Sequence, residues 1–177
     1  IEDATGDAND EKMNAAVMDS SNNIYIVGTT KGKYDGSTSA TGFDAYVGKY
    51  DSGGNRLFTQ QIGGESNVDD IGEAIAVDSS GNIYFAGENT GNNMMGAVTN
   101  QGQKDIFILK YSPPDSTIQF FAQIGSSEID DVNALLVSDD GYLYVIGYTP
   151  GNITYPISVT NNGAGASNFG DILVAKY

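Results

Sequence analysis

Asp78-Ser79-Ser80-Gly81-Asn82-Ile83-Tyr84-Phe85-Ala86-Gly87 decides the fold, because the chain contains this stretch in three versions. A close copy, Asp19-Ser20-Ser21-Asn22-Asn23-Ile24-Tyr25-Ile26-Val27-Gly28, stands 59 residues earlier. A looser one, Ser138-Asp139-Asp140-Gly141-Tyr142-Leu143-Tyr144-Val145-Ile146-Gly147, follows 60 residues later. A period of this length that fills the chain points to repeated supersecondary units sharing one core. It divides a single domain, 1–177, into units of approximately 1–63, 64–125 and 126–177. Repetition also counts against catalysis, since an enzyme seldom needs three copies of one catalytic group.

Four strands are predicted in each unit. The first is Asn14–Met18, Glu73–Val77 or Asn133–Val137. Small and apolar on both faces, these segments suit strands buried between neighbouring sheets. A tight turn follows, in which Asn or Gly supplies the positive φ of a two-residue hairpin turn; Asp139-Asp140-Gly141 reads as such a type I′ turn. Second strands run over 24–29, 83–88 and 143–148, and third strands over 44–50, 105–111 and 171–177. Leu57–Gly63 and Gln119–Gly125 supply fourth strands, whereas the third unit stops after its third. Four antiparallel strands in about 60 residues is the layout of a β-propeller blade. The expected fold class is all-β: tandem propeller-like blades, about eleven strands, the last blade lacking its outer strand and so open at one edge.

Composition narrows the function. Hydrophobic residues at 40% are a normal globular share, which excludes wholesale disorder, and 23 Gly among Ile, Val, Tyr and Phe runs favour turns and strands over helices. A net charge of −15 repels phosphate backbones and anionic lipid, so neither nucleic acid binding nor membrane insertion is expected. The chain has no Cys and no His, which removes thiol chemistry, zinc–thiolate sites and the usual general base. No nucleophile motif or Gly-rich phosphate loop is present, so no catalytic residue is assigned and no enzyme is expected.

The run D-S-S-G-N-I-Y-x-x-G, followed after a loop by D-x-x-x-x-K-Y and a turn, resembles the bacterial SBBP repeat, a β-propeller-related module. Tyr155-Pro156 sits where that family often carries an aromatic–proline pair. The resemblance covers residues 7–177. It implies a secreted or cell-surface protein with a scaffold or binding role, and it brings no catalytic residues with it. A closed propeller needs more than three blades.

Candidate sites fall into three groups. Acidic pairs recur before the first strands as Asp10-Glu11, Asp69-Asp70 and Asp130-Asp131. Asp69, Asp70, Asp130 and Asp131 are candidate metal ligands, with calcium the candidate ion, but their recurrence favours carboxylates that accept backbone N–H bonds in turns. Asp44, Asp105 and Asp171 open the third strands, and Lys49, Lys110 and Lys176 lie five residues on. That odd separation puts Asp and Lys on opposite faces. Each Lys is expected to cap an acidic loop or a carbonyl cluster. Repeated tyrosines (Tyr25, Tyr84, Tyr144; Tyr50, Tyr111, Tyr177) are expected to pack between blades.

Non-repeated residues in or beside the long second-to-third-strand loops are the better ligand or partner contacts: Tyr34, Met94, Met95, Tyr148 and Tyr155. Asn152-Ile153-Thr154 fits the N-x-T glycan acceptor pattern. Ile1 and Glu2 at one end, with Asp171, Ile172, Val174 and Tyr177 at the other, form the candidate assembly edge. Two functions follow. One is a structural protein that self-assembles, as oligomer or helical filament, by completing its open blade with a neighbouring copy. The other is a carbohydrate- or protein-binding, lectin- or adhesin-like piece of a larger surface propeller. A leader absent from the chain accords with either.

Overall fold

The computed structural model describes residues 11–32, 42–63, 68–91, 100–113, 117–153 and 171–176, the backbone alone for 171–175. Among these residues there is no helix, and the strands number eleven. They are β1 (Lys12–Met18), β2 (Ile24–Thr30), β3 (Asp44–Tyr50), β4 (Arg56–Ile62), β5 (Asp70–Val77) and β6 (Ile83–Asn89). The rest are β7 (Asp105–Ser112), β8 (Thr117–Ile124), β9 (Asp131–Val137), β10 (Leu143–Thr149) and β11 (Asp171–Lys176). They form three antiparallel sheets in chain order: β1-β2-β3-β4, β5-β6-β7-β8 and the three-stranded β9-β10-β11. β5 packs on β1, β2 and β3, and β9 packs on β5, β6 and β7, so the sheets stack as successive blades.

Side-chain alternation explains the stacking. Along β6, Ile83 and Phe85 face the first sheet while Tyr84 and Ala86 face the third. β7 repeats this, with Phe107 and Leu109 on one side and Ile106 and Ile108 on the other. Phe85, Phe107, Ile83, Ile106, Ile108 and Leu109 are fully buried, each contributing about 1.5–3 kcal/mol over exposure. The second sheet is thus enclosed on both faces. The expectation that every first strand is buried on both faces holds for β5 alone. Ala16 and Met18 on β1 and Leu136 on β9 are exposed, because each lies on a face with no neighbouring blade.

The hairpin turns also depart from expectation. Each has one residue of positive φ (Asn22, Gly81, Gly141), whereas a type I′ turn needs two. Asn22 N donates to Asp19 O at 3.0 Å and Asp19 N to Asn23 O at 3.0 Å, which makes a type I turn closed by one left-handed residue. Asp19 imposes this choice. Its Oδ1 accepts the Ser21 and Asn23 amides at 2.8 and 2.9 Å, which a two-residue loop would not present to it.

Candidate functional site

The repeated Asp and Tyr of the hairpin motif are bonded inside their own blade. Asp19 Oδ2 accepts Asn23 Nδ2 at 2.8 Å and the Tyr25 hydroxyl at 2.9 Å. Asp78 does the same for Asn82 Nδ2 at 2.7 Å and Tyr84 at 3.3 Å. The bond from the Asn23 side chain is the main cause that lowers the Asp19 carboxyl to about 2. Burial pushes the Tyr25 phenol up, and Asp19 pushes it further. Directly across the ladder, Lys49 Nζ lies 4.9 Å from the Tyr25 ring centre and Lys110 Nζ 5.2 Å from that of Tyr84. Lys176 lies 3.5 Å from the Tyr142 ring centre and 5.6 Å from that of Tyr144. The lysines therefore sit on tyrosine rings rather than capping loops or carbonyls, because strand pairing places each beside a ring of negative face.

The repeated glycine closes the motif. A Cβ on Gly28, Gly87 or Gly147 would lie 2.0, 1.8 or 2.3 Å from the carbonyl oxygen of Lys12, Ile71 or Asp131, at the bulge that shifts the first-strand register. Asp44 and Asp105 accept Gln61 and Gln123 Nε2 at 2.6 and 2.9 Å and pack on Gly63 and Gly125. Burial pushes both carboxyls up.

The acidic residues proposed as metal ligands are divided among protein partners. Asp69 Oδ1 accepts the Phe43 amide at 3.0 Å, and Asp70 accepts Asn89 Nδ2. Asp130 accepts the Ser126 amide at 2.6 Å and the Ser126 hydroxyl at 3.0 Å. Among the described residues no group of three or more His, Cys, Asp or Glu is placed to hold a metal ion. The pairs are also not equivalent. By strand register Asp130 matches Asp70, whereas Asp131, opposite Tyr148, matches Ile71, opposite Glu88. The one-residue slip turns Asp131 toward the second sheet.

There it meets a cluster that sequence reading did not find. Lys104 Nζ pairs with Glu88 Oε2 and lies 3.0 Å from Asp131 Oδ1. Burial pushes Glu88 up to about 7. For Lys104 burial acts downward, but its bonds to Glu88 and Asp131 outweigh it and hold the ammonium above its usual range. The corresponding positions between the first two sheets are Thr29, Phe43 and Ile71. Departure from the repeat was the available signal: Glu88 and Lys104 interrupt otherwise uncharged positions.

Of the proposed contact residues, Tyr148 lines a cavity of about 330 Å³ with Gln103, Glu128, Ile129 and Pro150. Asn152 is exposed, while Thr154 of its acceptor pattern lies outside the described residues. So do Tyr34, Met94, Met95, Tyr155, Ile1, Glu2 and Tyr177. Asp171, Ile172 and Val174 lie on β11, paired with Thr149, Tyr148 and Ile146 of β10. A second cavity of about 450 Å³ runs between the β1–β2 and β5–β6 turns, past Asp19, Asp78 and Lys49.

The outer faces of the end sheets complete the survey. Leu136 is 56% exposed and Met18 58%, whereas Ala76, which matches Leu136, is 8% exposed. Both residues occupy positions that elsewhere in the chain make blade contacts. Met18 and Leu136 mark these faces as a candidate interaction surface.

The family described as SBBP, beta-propeller repeat, matches the chain at residues 57–93 and 119–154. Each match begins in the last strand of one sheet and runs through the first two strands of the next, so it spans the step between blades. The chain carries SBBP-type β-propeller repeats, and its open antiparallel sheets are propeller-like blades. No curated protein matches it.

Proposed function

We propose that this propeller-repeat chain is a non-enzymatic structural subunit of the cell surface or extracellular space, which assembles with copies of itself. The observation that carries the reading is the third sheet. β3 and β7 each have two hydrogen-bonded neighbours, but the equivalent β11 has β10 alone among the described strands. An unpaired edge is a template for strand addition, and a strand from a neighbouring copy would give the third blade the four strands of the others. The occupation of the repeated residues by turns, bulges and ring contacts supports the non-enzymatic reading, and no cofactor is assigned. The acidic surface suits neither nucleic acid nor membrane insertion.

The test is sedimentation velocity across a hundredfold concentration range, with amide exchange at β11. Self-assembly predicts species heavier than 18.6 kDa and slowed exchange along β11 in the assembled fraction. A single 18.6 kDa species at every concentration contradicts it.

A binding role for glycans or a protein is the second reading, favoured by the Tyr148 cavity. An aromatic ring beside Gln103 and Glu128 offers the stacking face and polar groups that a sugar ring uses. A glycan array with no hits removes it.

A further inference from the structure

Resting on the self-association reading, we infer that the outward faces of the first and third sheets are two halves of one blade interface, and that each is covered by the opposite face of a second copy, stacked head to tail. The chain already contains this interface twice. Ala15 and Val17 point from the first sheet toward the second, and Ala74 and Ala76 point from the second toward the third. Ile75 and Val77 receive the first sheet, and Leu135 and Val137 receive the second. Carried one step further along the register, the outgoing pair becomes Ala134 and Leu136 and the incoming pair Ala16 and Met18.

Size favours the match. Inside the chain a small outgoing residue, Ala76, shares a core with a large incoming one, Leu135. Across the proposed junction the sizes exchange, Leu136 being outgoing and Ala16 incoming, so volume is conserved, the kind of swap that packed cores tolerate best. On the first sheet Ile26 and Tyr46 of the same face are buried, so the second copy is placed on β1, where Ala16 and Met18 are exposed.

Because the two faces differ, the contact is heterologous and continues into a ring or a filament. With −15 charges per chain, salt should strengthen it.

Two blocked variants test the pairing. Leu136→Asp closes the outgoing face and Met18→Asp the incoming one; both sites are exposed, so the fold should survive, as circular dichroism will show. At concentrations where the wild type associates, each variant alone should associate about tenfold or more weakly. An equimolar mixture should recover association as one-to-one pairs of the two variants, since one good face of each kind remains. Leu136→Lys, a second variant, should behave as Leu136→Asp does. Assembly of both variants as far as the wild type overturns the face pairing while leaving strand completion at β11 intact. A wild type that stays monomeric in high salt overturns both.

Discussion

Between the first and second sheets the rim carries Thr29, Phe43 and Ile71; between the second and third, the same positions carry Glu88, Lys104 and Asp131. Behind the rim the contrast continues. The first interface is aromatic, with Phe85 and Phe107 edge to face at 6.1 Å and Phe58 on Tyr111 at 5.5 Å. The second is aliphatic, built on Ala74, Ala86, Ile106, Ile108, Leu135 and Val145. One backbone register thus accepts two chemistries. Steps between blades are fixed by what repeats (turn, bulge, ladder), and they are individualised by what does not. Strength should reside in the first interface and sensitivity to conditions in the second.

The largest effect is expected from truncating equivalent residues in the two cores. Phe85→Ala should lose about 3–5 kcal/mol in urea unfolding. Val145→Ala at the matching position should lose about 1–2 kcal/mol, from two methyl groups. Equal losses would remove the contrast.

A smaller effect is expected at the rim. Lys104→Met leaves Glu88 and Asp131 facing each other and should destabilise by about 2 kcal/mol, below the loss for a fully enclosed pair because Asp131 is 39% exposed. Replacing the whole set with that of the first interface, Glu88→Thr with Lys104→Phe and Asp131→Ile, should be neutral or stabilising by thermal melting. A large loss in the triple variant would mean that the ions hold the step together.

The smallest effect is in pH. Glu88 titrates near 7 in the fold, above the carboxylate value of 4.5 in the unfolded chain. Between those limits the unfolded chain has released a proton that the fold retains, so stability falls as pH rises from about 4.5 to about 7. The groups that act on Glu88 are Lys104 before β7 and Asp131 on β9; both also act on Glu73 of β5, whose own carboxyl burial pushes up. Glu88→Gln should flatten this part of the pH–stability curve; an unchanged slope would assign it to the other carboxylates.

Much of the blade was legible because it repeats. Strand order, count and open edge follow from the spacing of Asp, Tyr and Gly in the motif. The turn type was not legible: Asp-Ser-Ser-Gly-Asn suits several hairpins, and the choice lies in which amides Asp78 Oδ1 reaches, namely Ser80 and Asn82 at 2.9 Å. Lysine on tyrosine was hidden because Lys49 and Tyr25 meet only through strand pairing. The Glu88–Lys104–Asp131 set was hidden twice, by long-range contact and by the one-residue slip that made Asp130-Asp131 look equivalent to Asp69-Asp70.

Cross-linking between introduced cysteines tests most directly whether the end faces are blade interfaces, and the absence of native Cys makes every adduct assignable. Leu136→Cys and Met18→Cys chains, mixed and treated with a short bis-maleimide, should give an inter-chain adduct joining positions 136 and 18, with little product from either variant alone. Adducts equally abundant in each variant alone, or none at concentrations where the chains associate, would contradict head-to-tail blade stacking.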